Sequence, residues 1–243
     1  MIKKKYFIGI DIGGTKILAG IADIKGKIYY SIKQKTPEIT SANSVIKFVS
    51  GTVDELLRQS ETPKSSVKAV GIAIPGIVDA DRGRVLFAPN LKLKNASLSK
   101  KLGKKLNLPV QMGNDVNLGL LGEKIYGSGR KYSDIIAIFW GTGIGGGIMI
   151  GGKLLTGRGN TAGEIGHMKI ALNGNLCSCG ESGCLEAYAG RWAIEKEIRK
   201  YGKKMPSYIL KSKKIKSKLL KKALGKNEPV VTKIMRNASK TLG

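Results

Sequence analysis

The 243-residue chain has little of several things: one histidine, His167, three cysteines, two tryptophans, and 17 acidic residues against 43 Lys and Arg. Each scarcity excludes something. Three cysteines, an odd number with two of them separated by a single residue, do not make a disulfide framework and suit a reducing compartment. No G-x-x-x-x-G-K-[ST] loop occurs, which removes the Walker A mode of phosphate binding. Long apolar runs are also missing. Ile135 to Gly152 is uncharged, but seven of its residues are glycine and Gly151-Gly152 reads as a turn, so it fits two strands better than a membrane span. The start, MIKKKYFIGIDIGG, mimics a secretory signal for a few residues until Asp11 interrupts it, and no small-residue cleavage site follows. A cytoplasmic protein with no membrane partner is expected.

The shortage of acid leaves a net charge of +26, carried mostly by lysine at Lys3 to Lys5, Lys100 to Lys105 and Lys196 to Lys222. A field of that sign attracts nucleic acid, anionic membranes or phosphorylated small molecules. No aromatic stacking platforms are interleaved through the basic runs and no base-reading module appears. The runs are therefore read as solvated helix faces in preference to a nucleic-acid surface.

What is present is an α/β pattern. Residues 5 to 33 read as a β-meander, YFIGID, ILAGIAD and IYYSI with glycine turns between. From Ser41 to Gln59, Val45, Phe48, Val49, Val53, Leu56 and Leu57 fall at helical spacing, with Ser41 or Asn43 as the cap. VKAVGIAIPG is a buried strand ending at Pro75-Gly76. A short helix carries Leu98, Leu102 and Leu106, PVQMG is a strand, and NDVNLGLLGEKIYG a helix. From Asp134 the opening pattern returns as DIIAIFW, a loop GTGIGGG, a strand IMI and a turn GGK. This outline of duplication divides the chain into halves 1–112 and 113–243, with a cleft expected between them. Leu185 to Lys200 reads as one helix, followed by lysine-rich segments and a last helix, EPVVTKIMRNASKTLG.

GTGIGG matches the dinucleotide fingerprint, but a strand follows the loop where that fingerprint needs a helix. The remaining reading is a grip in which bare backbone N–H groups approach an anion. Gly141, Thr142 and Gly143 supply one such loop and Gly13, Gly14, Thr15 and Lys16 the other, with Asp11 able to hold hydrated Mg²⁺. An ordinary hairpin turn is the alternative for each.

The ordered set DIGGTK, GIAIPG, GNDVN, GTGIGGG, AGEIGH and CSCGESGCLE resembles the ROK family of sugar kinases and sugar-responsive repressors, over about residues 6 to 190. The resemblance implies an actin-like ATPase (ribonuclease H-like) fold of two similar domains. It also implies ATP-dependent transfer of a γ-phosphate to a hexose, glucose first among them, with ATP and Mg²⁺ as partners. Asp115, which on sequence grounds alone reads as a helix cap, then matches the family's catalytic base. Asn90, Asn114, Asp115, Glu164, His167 and Glu186 match its sugar ligands.

His167, Cys177, Cys179 and Cys184 can form a closed Cys₃His zinc site. The C-x-C spacing departs from the common C-x₂-C, and the resemblance supplies the remaining support. The alternative is three buried thiols and a core histidine. Family members usually continue beyond position 243, so the second domain is expected to be incomplete. The repressors carry a DNA-binding module before the DxGGTK strand, and only Met1 to Lys5 precede it here. Two rival functions stand beside the kinase: a sugar-binding regulator without phosphoryl transfer, and a basic nucleic-acid binder. Homodimers are common in the family.

Overall fold

The computed structural model describes residues 5–39, 41–202 and 205–243. Of the basic clusters, Lys3, Lys4, Lys203 and Lys204 lie outside the described residues. The chain divides into two compact units, one running to Ile135 and including Met149–Ala162, the other made of Ile136–Ile148 and Gly163–Gly243. The boundary drawn from the duplication, after residue 112, falls inside a strand of the first unit.

In the first unit, β1 (Tyr6–Ile12), β2 (Lys16–Asp23) and β3 (Ile28–Lys35) form the expected meander. Alternation buries Ile8, Ile10 and Ile12 of β1 and Ile17, Ala19 and Ile21 of β2. α1 (Ala42–Gln59) starts at Ser41, whose side chain accepts the Ser44 N–H while the Ser44 hydroxyl accepts the Ser41 N–H. Its apolar stripe, Val45, Val49, Val53 and Leu56, is fully buried. β4 (Val67–Ile74) lies parallel to β1, and β8 (Val110–Asn114) parallel to β4, giving the order β3-β2-β1-β4-β8.

Between β4 and β8 the chain makes a second sheet that the sequence pattern did not reveal. It consists of β5 (Ile77–Asp79), β6 (Arg84–Ala88) and β7 (Leu93–Ser97), followed by α2 (Ser99–Leu106). Leu98, Leu102 and Leu106 are buried as the helical spacing required. α3 (Asp115–Tyr126) leaves directly from the end of β8.

β9 (Ile135–Trp140) and β10 (Ile144–Ile150) follow, and the far end of β10 pairs with β11 (Lys153–Leu154) in the first unit. The loop between β9 and β10 is shorter than the sequence suggested, because Gly145, Gly146 and Gly147 belong to β10. The physical reason is close packing: a Cβ on Gly146 would sit 2.3 Å from the Gly163 carbonyl oxygen and 2.6 Å from Ile165 Cγ1.

The remainder of the second unit is helical: α4 (Glu186–Ala189), α5 (Arg191–Lys200), α6 (Ser207–Leu210), α7 (Ser217–Gly225) and α8 (Pro229–Leu242). The single helix expected over Leu185 to Lys200 is broken at Gly190, whose backbone is extended and whose Cβ, if present, would lie 2.7 Å from the Glu186 carbonyl oxygen. At the break the Trp140 indole donates to the Ala189 carbonyl at 2.6 Å. α8 begins with Pro229 and is capped by Glu228, whose carboxylate accepts the Val230 and Val231 N–H groups. Ile194, Ile198, Ile209, Leu220, Val231 and Ile234 build the core these helices share. Among the described residues no helix is long and apolar enough to cross a membrane.

Candidate functional site

The predicted residues fall into two sets, one in each unit. In the first unit, the turn Gly13-Gly14-Thr15 joins β1 to β2 and is held from β3's end by Thr36. The Thr36 hydroxyl donates to Gly13 O at 2.7 Å and its N–H donates to Thr15 O at 3.1 Å. Gly13 N–H closes the turn on Lys16 O at 2.9 Å. A Cβ on Gly14 would meet nothing within 4 Å, so that residue presents bare backbone, and Thr15 and Lys16 are exposed.

Asp11, at the end of β1, is exposed, yet its carboxyl is raised above the usual range, first by loss of surrounding water and then by the charge of Asp115. Asp115 is half-buried, and its own loss of water pushes its carboxyl up against the opposing pull of backbone N–H groups, among them Val116 N at 3.0 Å. A carboxyl near the end of β1 and one at the start of α3 are thus close enough to repel. The cap of α3 is Asn114 and not Asp115: Asn114 Oδ1 accepts the Asn117 N–H at 3.0 Å. Its amide nitrogen donates to Gly76 O at 2.9 Å. Gly76 (φ +120°) sits so close to Phe87 O and Ala88 that no side chain fits there, and Asn90 follows in an exposed turn at Pro89–Leu91. Asn114 is thus bonded to Gly76, which packs on Ala88, two residues before Asn90.

In the second unit, one nitrogen or sulfur atom from each of His167, Cys177, Cys179 and Cys184 lies within 4.8 Å of the others. Cys179 Sγ and Cys184 Sγ are 3.8 Å apart, and Cys177 Sγ is 3.7 Å from His167 Nδ1. A tetrahedral zinc ion with ordinary bond lengths needs S···S near ~3.8 Å and S···N near ~3.6 Å. The donor set and spacing therefore fit that ion. Without it, burial pushes the Cys184 thiol up to about 11, while the Glu181 N–H pulls the Cys179 thiol below its usual range. Nδ1 of His167 faces the thiols, and Nε2 points toward Glu164 Oε2 at 4.0 Å, beyond direct hydrogen-bond reach. Glu164 is exposed.

Glu186 is different. It is 8 % exposed and its carboxylate is engaged: Oε2 accepts Ile144 N–H at 2.8 Å, and Oε1 accepts the Ser178 hydroxyl and the Trp192 indole N–H, each at 3.0 Å. The start of α5 grips the Gly141–Gly143 loop. Arg191 N–H donates to Gly141 O at 3.3 Å, Trp192 N–H to Thr142 O at 3.2 Å, and the Arg191 guanidinium to the Thr142 hydroxyl. Sequence reasoning passed over Thr36, Ser178, Arg191 and Trp192. Only Ser178, enclosed by two cysteines, carried a local signal.

A five-stranded mixed sheet, an antiparallel meander extended by two parallel strands, with two glycine turns following strands and acidic groups beside one of them, defines an α/β protein of the actin-like ATPase fold. The chain belongs to the ROK family, whose sequence profile matches residues 7–243. It is 38% identical over 208 residues to a glucokinase of Thermotoga maritima, covering 85% of this chain and 64% of that protein. It is 33% identical over 207 residues to a xylose repressor of Bacillus subtilis, covering 84% of this chain and 52% of the repressor. Among solved structures, a ROK family glucokinase from Streptomyces griseus in complex with glucose and AMPPNP superposes with a TM-score of 0.83 at 35% identity, covering 97% of this chain and 76% of that one. The chain thus spans about half to two thirds of the length of these curated relatives.

Proposed function

We propose that the protein phosphorylates a hexose, glucose first, at the expense of ATP. The observation that carries this reading is the pair of raised carboxyls, Asp11 and Asp115, beside a bare glycine turn, in a chain whose relatives include glucokinases. Asp115 is the general base. As the sugar oxygen forms its bond to the γ-phosphorus, the bond to the β,γ-bridging oxygen breaks, ADP leaves, and the hydroxyl proton passes to the Asp115 carboxylate. A carboxyl raised by burial is a stronger base than an exposed one, which suits it to that proton. Asp11 would hold Mg²⁺, which when bound spreads the negative charge of the phosphates. Gly13, Gly14, Thr15 and Lys16 receive phosphate in the first unit, and Gly141, Thr142 and Gly143 in the second. Asn90, Asn114, Glu164, His167 and Glu186 orient the sugar. His167 Nδ1, Cys177, Cys179 and Cys184 would hold zinc, whose chemistry there is that of a structural cross-link. We place the protein in the cytoplasm and read the halves 1–112 and 113–243 as the duplicated domains.

A coupled ADP-release assay with glucose, N-acetylglucosamine, mannose and fructose tests the reading. Turnover should appear with at least one sugar, and Asp115→Asn should abolish it while sugar binding persists. The similarity to xylose repressors favours a second reading, a sugar-binding regulator. Sugar binding with no ADP release from the unsubstituted protein decides for it.

A further inference from the structure

Within the second unit, one buried carboxylate joins a strand 42 residues before it to the cysteine loop and the helix that flank it on either side. Glu186 holds Ile144, the residue immediately after the Gly141–Gly143 loop, through its backbone N–H, and holds Ser178, which lies between Cys177 and Cys179, through its hydroxyl. The third donor, the Trp192 indole, belongs to the helix whose first turn grips Gly141 and Thr142. A carboxylate offers about four acceptor positions, and three are filled. Gly166, the neighbour of His167, packs closely against the other side of Ile144: a Cβ there would come within 2.1 Å of the Ile144 carbonyl oxygen. Sequence neighbours of the cluster ligands thus reach the residue that follows the glycine loop on both sides, Ser178 through Glu186 at the Ile144 N–H and Gly166 by packing at its C=O. Glu186 is 8 % exposed and its bond to Ile144 is buried, so a shift of the more exposed Ser178 in the cysteine loop transmits through the carboxylate to Ile144.

We infer that Glu186 is a positioning residue through which the metal-ligand cluster sets the geometry of the Gly141–Gly143 loop, so that occupation of the cluster and binding of a phosphate donor are coupled. The identity of that donor as a nucleotide rests on the kinase reading above; the joint itself does not. Coupling is reciprocal, so a nucleotide on the loop should also slow loss of metal.

The test is hydrogen exchange over residues 141–148, read by mass spectrometry, on zinc-loaded and chelator-stripped protein. Stripping should speed exchange at the Ile144 amide by about tenfold, within the span usual for coupled sites. Ser178→Ala, loaded with stoichiometric zinc, should exchange Ile144 faster than the unsubstituted protein and lose its response to stripping; Ser178→Thr, which keeps the hydroxyl, should restore both. Ile144 exchange that ignores zinc, or a zinc response undiminished in Ser178→Ala, overturns the inference. If stripping unfolds the second unit, the two loaded variants decide alone. Calorimetry with AMPPNP adds the donor: stripped protein should bind it about tenfold more weakly. Failure of loaded protein to bind AMPPNP at all would overturn the nucleotide reading, while the exchange result still decides the joint.

Discussion

The glycines of GTGIGGG have two separate jobs, and substituting them one at a time separates these. A methyl group on Gly146 would lie 2.3 Å from the Gly163 carbonyl oxygen, where ordinary contact begins at 3.4 Å. Backbone must therefore give by about 1 Å, and Ile165, at 2.6 Å, blocks the easy direction. Overpacking of that kind costs about 1–3 kcal/mol. Alanine returns part of this by lowering the entropy of the unfolded chain, roughly 0.4–1 kcal/mol. A net loss of about 1–2 kcal/mol should lower Tm by about 2–8 °C for a chain of this length. At Gly141 a Cβ meets nothing within 4 Å. Gly141→Ala should leave Tm unchanged or slightly higher, yet weaken AMPPNP binding, because its methyl group stands where the donor phosphate is to approach. Thermal melts of both variants followed by circular dichroism, with calorimetry for AMPPNP, check the pair. An unchanged melting temperature for Gly146→Ala, or equal destabilisation at both positions, would refute this division of labour.

The raised carboxyls carry a pH signature. A carboxyl whose folded value lies above its ordinary 3.8 stabilises the fold while protonated, and that contribution is lost as pH rises through the folded value. Asp115→Asn should therefore be more stable than the unsubstituted protein near pH 7, with the advantage shrinking to nothing below about pH 3.8; urea titrations at the two pH values measure it, and a variant less stable at pH 7 would count against a site strained for function. Cys179→Ser removes one of four ligand atoms. It should lower bound zinc below stoichiometry, destabilise the second unit by several kcal/mol, and weaken sugar affinity, since structural zinc sites supply on the order of 10–16 kcal/mol. Fully active protein purified with no zinc would contradict the structural role given to the cluster.

Much of the first unit was legible because its signals are local. The isoleucines of β1 and β2 alternate, the stripe of α1 repeats every third or fourth residue, and Ser41 announces the cap. The sheet β5-β6-β7 was not, since its strands are three to five residues long and left-handed turns at Gly83 and Lys92 interrupt any period. The convergence of His167 with the cysteines could be read because three of the four ligands fall within eight residues. Thr36, which ties the first glycine turn, and Trp192, which completes the hold on Glu186, could not: each acts on a partner fixed by tertiary structure, and neither residue type advertises that work. The glycine run misled for a related reason. A glycine needed for contact with a distant carbonyl is written in the sequence as one needed for a ligand.

The placement of the two tryptophans gives the molecule a one-sided optical voice. The Trp140 indole bonds to the backbone at the break before α5, and the Trp192 indole bonds to Glu186 itself. The first unit, with Asp11, Asn114 and Asp115, has no indole. Tryptophan emission, excited at wavelengths where tyrosine does not absorb, accordingly reports the state of the cysteine-to-glycine-loop joint and is deaf to events confined to the carboxyl pair. A ligand that both quenches it and is lost with Asp115→Asn would be speaking to both units at once.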